Sequence, residues 1–565
     1  MAGPQLAYCD ELHAQKYRGP GETFREVGNR LANVLKDKEE DFYAFRDIYL
    51  GMRFLPGGRV QSGVGSSRAV TAFNCFVSGI IEDTLLDGDG SIQSRAGQAL
   101  QTMRMGGGIG YDWSTLRPRG ATIKKLQSKS SGPVAWMSYY SAGGQAIASS
   151  GHRRGAQMGV LRIDHPDIME FIHVKQNADK LTGFNLSVGV TDAFMEALRT
   201  GKPFDLVWEG ETYNTVDPGE LWDAMMRGTW DWAEPGVLFI DRINQMNNLW
   251  YCEYIAATNP CGEQPLPPFG ACLLGSFNLP QFLTKGESDN WAYNLGAFKA
   301  DIPHVVRAMD NVIDRTIYPL YEQEKEAKAK RRIGLGVAGL ANAIETMGHP
   351  YGSEEFIAVE ETILSTLKNE AYRASALLAK EKGPFKLFNR DKYMQGKFIQ
   401  TLDADVQELI YKYGIRNSHL TSIAPTGTIA TSADNISGGI EPVFALEMKR
   451  TVIEFEGERT ETLPDYAYRV YGTKGKTADQ VTVQEHLAVL LAAQKHVDSA
   501  VSKTCNVPPS TNWEEFKKIY VDAYYGGAKG CTTYRTDCKR GAVLTAVPEG
   551  AACTIDDMGR KTCAD

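Results

Sequence analysis

Cysteine is scarce in this sequence, ten in 565 residues, and no two stand in a C-x-x-C spacing. The scarcity excludes a secreted disulfide scaffold, and the missing spacing removes support for a tetrahedral zinc site of the knuckle type. No run of about 18 apolar residues occurs, as a membrane-spanning helix would need. The opening MAGPQLAYCDELHAQKYRGPGE has no basic stretch followed by an apolar one, so it does not read as a secretory signal. A cytoplasmic protein with no membrane partner is expected. Charge of either sign is also not in large excess: 61 Lys+Arg against 69 Asp+Glu leave a net −8. No strong field draws the chain to a nucleic acid backbone, so no nucleic acid partner is expected and any nucleotide bound is small. In a reducing compartment, thiols that matter are catalytic or metal-binding.

What is present is a globular chain with 43% hydrophobic residues, enough for a substantial core. Thr482-Val-Gln-Glu485 and Thr511-Asn-Trp-Glu514 have capping-box form and predict helix starts, the second helix stopping at Gly526-Gly527. SHLTSIA (418–424), GVLFID (236–241) and GCTTYR (530–535) read as strands. Strand and helix alternate over most of 110–540, which predicts an α/β architecture with much of its sheet parallel and buried. AVLTAVPEGAACTIDDMGRKTCAD, after Gly541, is the most loop-like segment and is predicted to be mobile.

Several motifs have more than one reading. Gly334-Leu-Gly336-Val-Ala-Gly339 matches G-x-G-x-x-G, yet the charged run EQEKEAKAKRR before it leaves no room for the strand a dinucleotide fingerprint needs, and tight backbone packing is the better reading. Glu170-Phe-Ile-His173 is a single E-x-x-H where a di-metal site needs two, and reads as a surface helix; no metal site is expected. Pro425-Thr-Gly-Thr-Ile429 is divided between a phosphate-binding nest and an ordinary strand-to-turn junction. Met105-Gly-Gly-Gly-Ile-Gly110 reports a turn or close backbone approach. NPCGEQPLPPFGACLLGS (259–276) sets an amide, a thiol and a carboxylate at alternate positions, Asn259, Cys261 and Glu263, before a run of prolines. In an extended loop these three project to one side. On these residues alone, a stiff reactive loop and a surface loop with a structural cysteine stand about equal.

NPCGEQPLPPFGACLLGSFNL resembles the active-site finger loop of ribonucleotide reductases, in the form found in the adenosylcobalamin-dependent class. The resemblance extends in order through FNCFVSGI with Cys75, GGGIGYDWSTLRPRGATI (106–123), HRRGAQMGVLRIDHPDI (152–168), FNLSVGVTDAFM (184–195), RRIGLGVAGLANAI (331–344), APTGTIATSADNISGGIEPVF (424–444) and KGCTTYR (529–535). It implies that Cys261 carries the thiyl radical, Glu263 is the base at the 3′-hydroxyl and Asn259 hydrogen-bonds the sugar. It implies that Cys75 and Cys272 are the thiol pair that reduces it. Reduction takes two electrons, which a pair of thiols yields on becoming a disulfide. It further implies substrate phosphate binding at Pro425, Thr426, Gly427, Thr428 and Ile429, and an effector-reading acid at Asp83, after which LDGDG is extra. Loops around 149–157 and 176–184 would relay effector identity. The family's glycine motif belongs to its barrel.

Among the family's radical sources, a partner subunit requires stacked tyrosines in K-x-x-Y-Y, where Thr532 and Thr533 stand here. A glycyl radical requires Arg-Val-x-Gly-Tyr near the end and four zinc cysteines; Arg469-Val-Tyr-Gly472-Thr473 lies too early. Adenosylcobalamin is therefore expected, without a D-x-H-x-x-G histidine. The alternative is a catalytic large subunit that needs a separate metal-containing radical subunit. The expected fold is a ten-stranded α/β barrel of two five-stranded parallel halves around the finger loop. The expected parts are a helical region over 1–60 without a full regulatory cone, the barrel over 61–541 and a tail over 542–565. Cys553 and Cys563 of the tail would shuttle electrons from a thioredoxin or glutaredoxin-type reductant, with Cys531 or Cys538 as competitors. Deoxynucleotide effectors and a monomer or homodimer complete the expectation.

Overall fold

The computed structural model describes residues 3–124, 126–147, 156–177, 179–286, 290–535 and 537–539 except 455–456, and the backbone alone at 450–454, 457–460, 545–546, 553–555 and 561–563. The strands used below are β1 (Phe54–Pro56), β2 (Cys75–Val77), β3 (Gly108–Asp112), β4 (Gln157–Arg162), β5 (Phe184–Val190), β6 (Gly236–Phe239), β7 (Ala257–Thr258), β8 (Pro265–Leu266), β9 (Ala271–Asn278), β10 (Ile333–Ala338), β11 (Thr504–Val507) and β12 (Gly530–Arg535). All but β7 and β8 join one mixed sheet, in the order β1-β9-β2-β3-β4-β5-β6-β12-β11, with β10 also on β9.

β2 to β6 run parallel. β9 with β10 and β11 with β12 are parallel pairs, set antiparallel to the first group at β9–β2 and β6–β12. Covered on both faces, β5 and β10 read as nearly continuous apolar and small residues, as parallel strands do. Residues 418–424 are buried but pair only through single bridges, Leu335 to Thr421 and Ile423 to Val501. The reason is local: the amides of Leu420 and Thr421 donate to the Asp498 carboxylate at 2.6 and 3.1 Å instead of to a ladder. The strand read at 236–241 stops at Phe239, where a short helix begins.

Helices cover the outer face. Those that matter below are α1 (Ala7–Tyr17), α2 (Gly58–Gly63), α3 (Gly427–Ser432), α4 (Val483–Gln494) and α5 (Trp513–Gly526). α4 opens on the Thr482–Glu485 capping box. α5 starts one residue later than its sequence suggests: Thr511 is still held in a turn by Pro508, and Asn512 forms the box with Glu515. No described helix is long and apolar enough to cross a membrane.

The glycine motif at 334–339 is not the turn after a strand but largely the strand itself. A Cβ on Gly336 would lie 2.3 Å from the Ser422 carbonyl oxygen, and Gly339, at φ +73°, caps the helix that follows. Beside the main core, a second cluster joins Val77, Met158, Val160, Leu238 and Cys272 of the sheet to Ala257 and Leu266 of the β7–β8 hairpin. The sheet thus carries the hairpin on one face and helices on the other. Burying Leu266 there contributes roughly 1.5–3 kcal/mol.

Candidate active site

The hairpin pairs Ala257 with Leu266 and Thr258 with Pro265, so residues 259–264 form its tip. The tip closes on itself: Asn259 N donates to Gln264 O at 3.1 Å, Gly262 N to Asn259 O at 3.1 Å, and Gln264 N to Asn259 Oδ1 at 2.9 Å. Gly262 takes φ +82°, which a turn of this tightness requires. Glycines of the surrounding strands admit the hairpin. A Cβ on Gly110 would sit 1.8 Å from Thr258 O, and one on Gly334 2.6 Å from Gln264 Nε2. The GGGIG stretch is thus a close backbone approach, one of its two sequence readings.

The tip is pinned from opposite sides. Asn185 of β5 donates to Pro260 O at 2.8 Å, while Ser422 Oγ and Ala500 N donate to Glu263 O at 2.9 and 3.0 Å. The sequence assigns no role to Asn185, Ser422 or Gln264. The available signal is a polar residue inside a buried run.

The tip is a turn rather than the extended loop that the alternate spacing suggests. Asn259 and Glu263 are buried and converge on Cys75: Asn259 Nδ2 donates to its sulfur at 3.2 Å, and the Cys75 thiol lies 3.7 Å from Glu263 Oε1. Cys261 is exposed at the apex, near enough that its charge would be felt at Cys75. Cys75 and Cys272 stand directly opposite each other on antiparallel β2 and β9. Opposed residues in such a pair have Cβ atoms about 4.5–5.5 Å apart, slightly beyond the usual disulfide span of about 3.5–4.5 Å, so small adjustments let the two sulfurs bond.

Burial, opposed by the hydrogen bond from Asn259, pushes the Glu263 carboxyl above its ordinary value. Its Oε2 has no hydrogen-bond partner among the described residues, and neither do Gln264 Nε2 and Oε1. Burial also raises both thiols; Glu263 raises Cys75 further, whereas Arg332 works in the opposite sense at Cys272. The arrangement suits a carboxyl that moves a proton beside two thiols that stay protonated until they react.

Ala424 packs with Cys75 and Leu274. The chain then enters Pro425–Ile429 with Thr426 and Gly427 at φ +53° and +26°, Thr426 Oγ1 accepting from Gly439 N at 2.8 Å. From the other side, Gly57 N donates to Leu274 O at 2.8 Å just before α2. A cavity of about 220 Å³, lined in part by Gln145, Gln157, Thr182 and Asn185, opens beside the hairpin. Much of the 149–157 loop lies outside the described residues.

Asp83 is ion-paired with Arg117 and accepts from its amide at 3.4 Å. Glu170 pairs with Arg119 at 3.2 Å. On β6, Leu238 faces the hairpin cluster and is in register with Gly530 of β12, so Thr532 of β12 shares that face and is exposed, whereas Cys531 and Thr533 point outward. Thr533 Oγ1 is 2.8 Å from the Tyr520 hydroxyl. Cys531 is buried and Cys538 half-buried. The side chains of Cys553 and Cys563 lie outside the described residues, although the backbone register sets the two opposite each other.

Comparison with known proteins gives the same pattern a family. Residues 73–534 match the ribonucleotide reductase barrel domain. A vitamin B12-dependent ribonucleoside-diphosphate reductase of Mycobacterium tuberculosis is 33% identical over 98% of this chain and 82% of its own length. The enzyme of the same name from Thermoplasma acidophilum is 32% identical over 89% of this chain and 66% of its own. A ribonucleoside-diphosphate reductase subunit alpha of Chlamydia muridarum is 25% identical over 73% of this chain and 44% of its own. With the hairpin, the opposed cysteines and the matched span in agreement, the chain belongs to the ribonucleotide reductase family.

Proposed function

We propose that this chain reduces ribonucleotides to 2′-deoxyribonucleotides by thiyl-radical chemistry with adenosylcobalamin as the radical generator. The observation that carries the reading is the convergence of Asn259 and Glu263 on Cys75, with Cys272 opposite and Cys261 exposed at the apex. The B12-dependent names of its relatives support the choice of cofactor.

Hydroxide leaves a sugar poorly, and a radical at C3′ eases its loss. Cys261 as a thiyl takes the 3′-hydrogen and returns it at the end. Glu263 takes the 3′-hydroxyl proton and gives it back to the 3′-oxygen once the sugar has been reduced; a carboxyl raised above its ordinary value is the better base for that task. Cys75 and Cys272 supply two protons and two electrons: the 2′-hydroxyl leaves as water and a disulfide forms. Asn259, held by Gln264, hydrogen-bonds the sugar.

The residues on the hairpin face of β12 fit a large cofactor. Gly530, exposed Thr532 and Gly236 present low side chains there, with the Thr532 hydroxyl 3.5 Å from where a Gly236 Cβ would be. When bound, adenosylcobalamin supplies a carbon-centred radical able to take the hydrogen of a thiol. A metal-loaded partner subunit is the less favoured source, because Thr532 and Thr533 occupy the places of its relay tyrosines.

The finer architecture we infer is a barrel of ten strands in two antiparallel halves. The bridges from Leu335 to Thr421 and from Ile423 to Val501 support it by linking β10 towards β11. It would span 61–541, preceded by the helical region and followed by the tail whose Cys553 and Cys563 pass electrons from a thioredoxin or glutaredoxin-type reductant. Pro425–Ile429 would hold the substrate phosphate, and Asp83, released from Arg117, would read a deoxynucleotide effector. The chain would work in the cytoplasm, as a monomer or homodimer. The test is reconstitution: purified protein, ribonucleotide, a small dithiol and adenosylcobalamin should suffice to form deoxynucleotide. A requirement for a second, metal-loaded protein would favour the other radical source.

A further inference from the structure

α1 packs against both α2 and α3, the two short helices that start beside the Cys75 strands. Its grip on α2 is made by side chains. His13 Nε2 lies 2.9 Å from Gln61 Oε1 and 3.2 Å from the Tyr49 hydroxyl, and Tyr17 lies against Gly58, where a Cβ would come within 2.7 Å of its ring.

On the α3 side the contact is backbone to carboxylate. Gln5 N donates to both oxygens of Asp434 at 2.8 and 3.0 Å, and Leu6 N donates to Oδ1 at 2.9 Å. Arg469 adds an ion pair to Asp434 at 3.6 Å and a hydrogen bond to Gln5 Oε1 at 3.3 Å. Asp434 and Asn435 sit at φ +62° and +60°, where residues other than glycine are uncommon. This turn closes the far end of α3: Asn435 N donates to Thr431 O at 3.0 Å and Ile436 N to Ala430 O at 3.3 Å.

α3 is six residues long. A helix of that length does not hold its place by its own hydrogen bonds. Its start carries Thr426 to Ile429, and its end is fixed by Asp434, which is in turn held by the amides of residues 5 and 6. We infer that residues 3–17 form a strap that positions the 425–429 segment for the substrate phosphate, with Asp434 as the positioning residue. The inference rests on the phosphate role proposed above for that segment.

The test compares Asp434→Gly, which removes the acceptors while tolerating the left-handed backbone, with Asp434→Asn, which keeps one acceptor oxygen. Asp434→Gly should raise the ribonucleotide KM about tenfold with kcat changed by less than about twofold, and Asp434→Asn should fall between it and the parent. Inhibition by inorganic tripolyphosphate should weaken by the same factor, while competition by the free ribonucleoside stays unchanged. Amide exchange at 5–6 and 427–432 should accelerate. A merely structural role would lower kcat and the yield of folded protein without separating KM from kcat, and that result overturns the strap.

Thr428→Val separates the two ideas. If it leaves tripolyphosphate binding unchanged, the phosphate role and the strap fall together; if it weakens binding while Asp434→Gly does not, the strap alone falls. Should Asp434→Gly fail to fold, Leu6→Pro removes one donor at a residue already at φ −77°, and it must raise KM in the same selective way. An unchanged KM in that variant overturns the strap.

Discussion

Two pairs of buried thiols lie on neighbouring strands of this sheet, and they differ in what surrounds them. Cys75 and Cys272 are directly opposed, beside an amide and a carboxylate from the hairpin tip. Cys505 and Cys531 sit on β11 and β12 facing the helices, in hydrogen-bond contact with each other and packed within the main apolar core. Burial raises both Cys75 and Cys272, whereas the hydrogen bond between Cys505 and Cys531 raises Cys531, with burial adding to it, and lowers Cys505. The pairs differ also in polar atoms left without partners. Glu263 Oε2 and both polar side-chain atoms of Gln264 are buried and unpaired among the described residues beside the first pair. Unpaired buried polar atoms cost stability that a fold keeps where a ligand or reaction uses them.

The contrast breaks most visibly at the hairpin apex. Cys261→Ala should lose turnover by at least about 10⁴-fold while keeping nucleotide binding, since nothing else can accept the hydrogen. Equilibrium binding and product analysis on one preparation check both halves. Next come Cys75→Ser and Cys272→Ser, which should each abolish sustained reduction, measured as product formed over many cycles with excess dithiol.

Glu263→Gln should cost about 10²–10⁴-fold in the chemical step. In the parent, the acidic limb of the pH–rate profile should lie above an ordinary glutamate value, because burial raises this carboxyl. The stability consequence has a definite sign. Between the ordinary value of 4.5 and the raised native value, the folded state holds more protons than the unfolded one, so stability falls as pH rises through that window. Denaturant titrations of Glu263→Gln across it should show a weaker pH dependence.

Gly110→Ala probes the hairpin seat: its Cβ would meet Thr258 O at 1.8 Å. Displacing the hairpin should cost about 10²-fold in kcat. Cys505→Ala or Cys531→Ala should do least, changing turnover by less than about twofold and costing about 1 kcal/mol of packing. A large loss of turnover from either would erase the distinction between the two pairs.

Much of this was legible in the sequence, for physical reasons. Alternation of strand and helix, the Thr482 capping box and the strand at 530–535 follow from local pattern, and each is present. The thiol, amide and carboxylate at 259–263 were visible as chemistry because prolines and a glycine mark a constrained loop. Their geometry was less accessible, since Gly262 turns the tip and leaves Cys261 exposed at the apex while Asn259 and Glu263 are buried. The strand in the 334–339 motif was hidden because glycine is a poor strand residue on propensity, and only the approach of Ser422 and Gln264 explains it. Pins from distant segments, such as Asn185, Ser422 and Asp434, leave almost no local signature.

The most direct measurement is the yield of a single pre-reduced charge. In a Cys553→Ser/Cys563→Ser background, protein reduced and freed of external dithiol is mixed with ribonucleotide and adenosylcobalamin, and deoxynucleotide is counted per chain. One product per chain is expected, because Cys75 and Cys272 hold one pair of electrons, and none when Cys75→Ser is added. The yield should be unchanged when Cys505→Ala and Cys531→Ala are added instead. Product from the Cys75→Ser protein, or a yield that falls with Cys505 and Cys531, would contradict the assignment of the reducing pair.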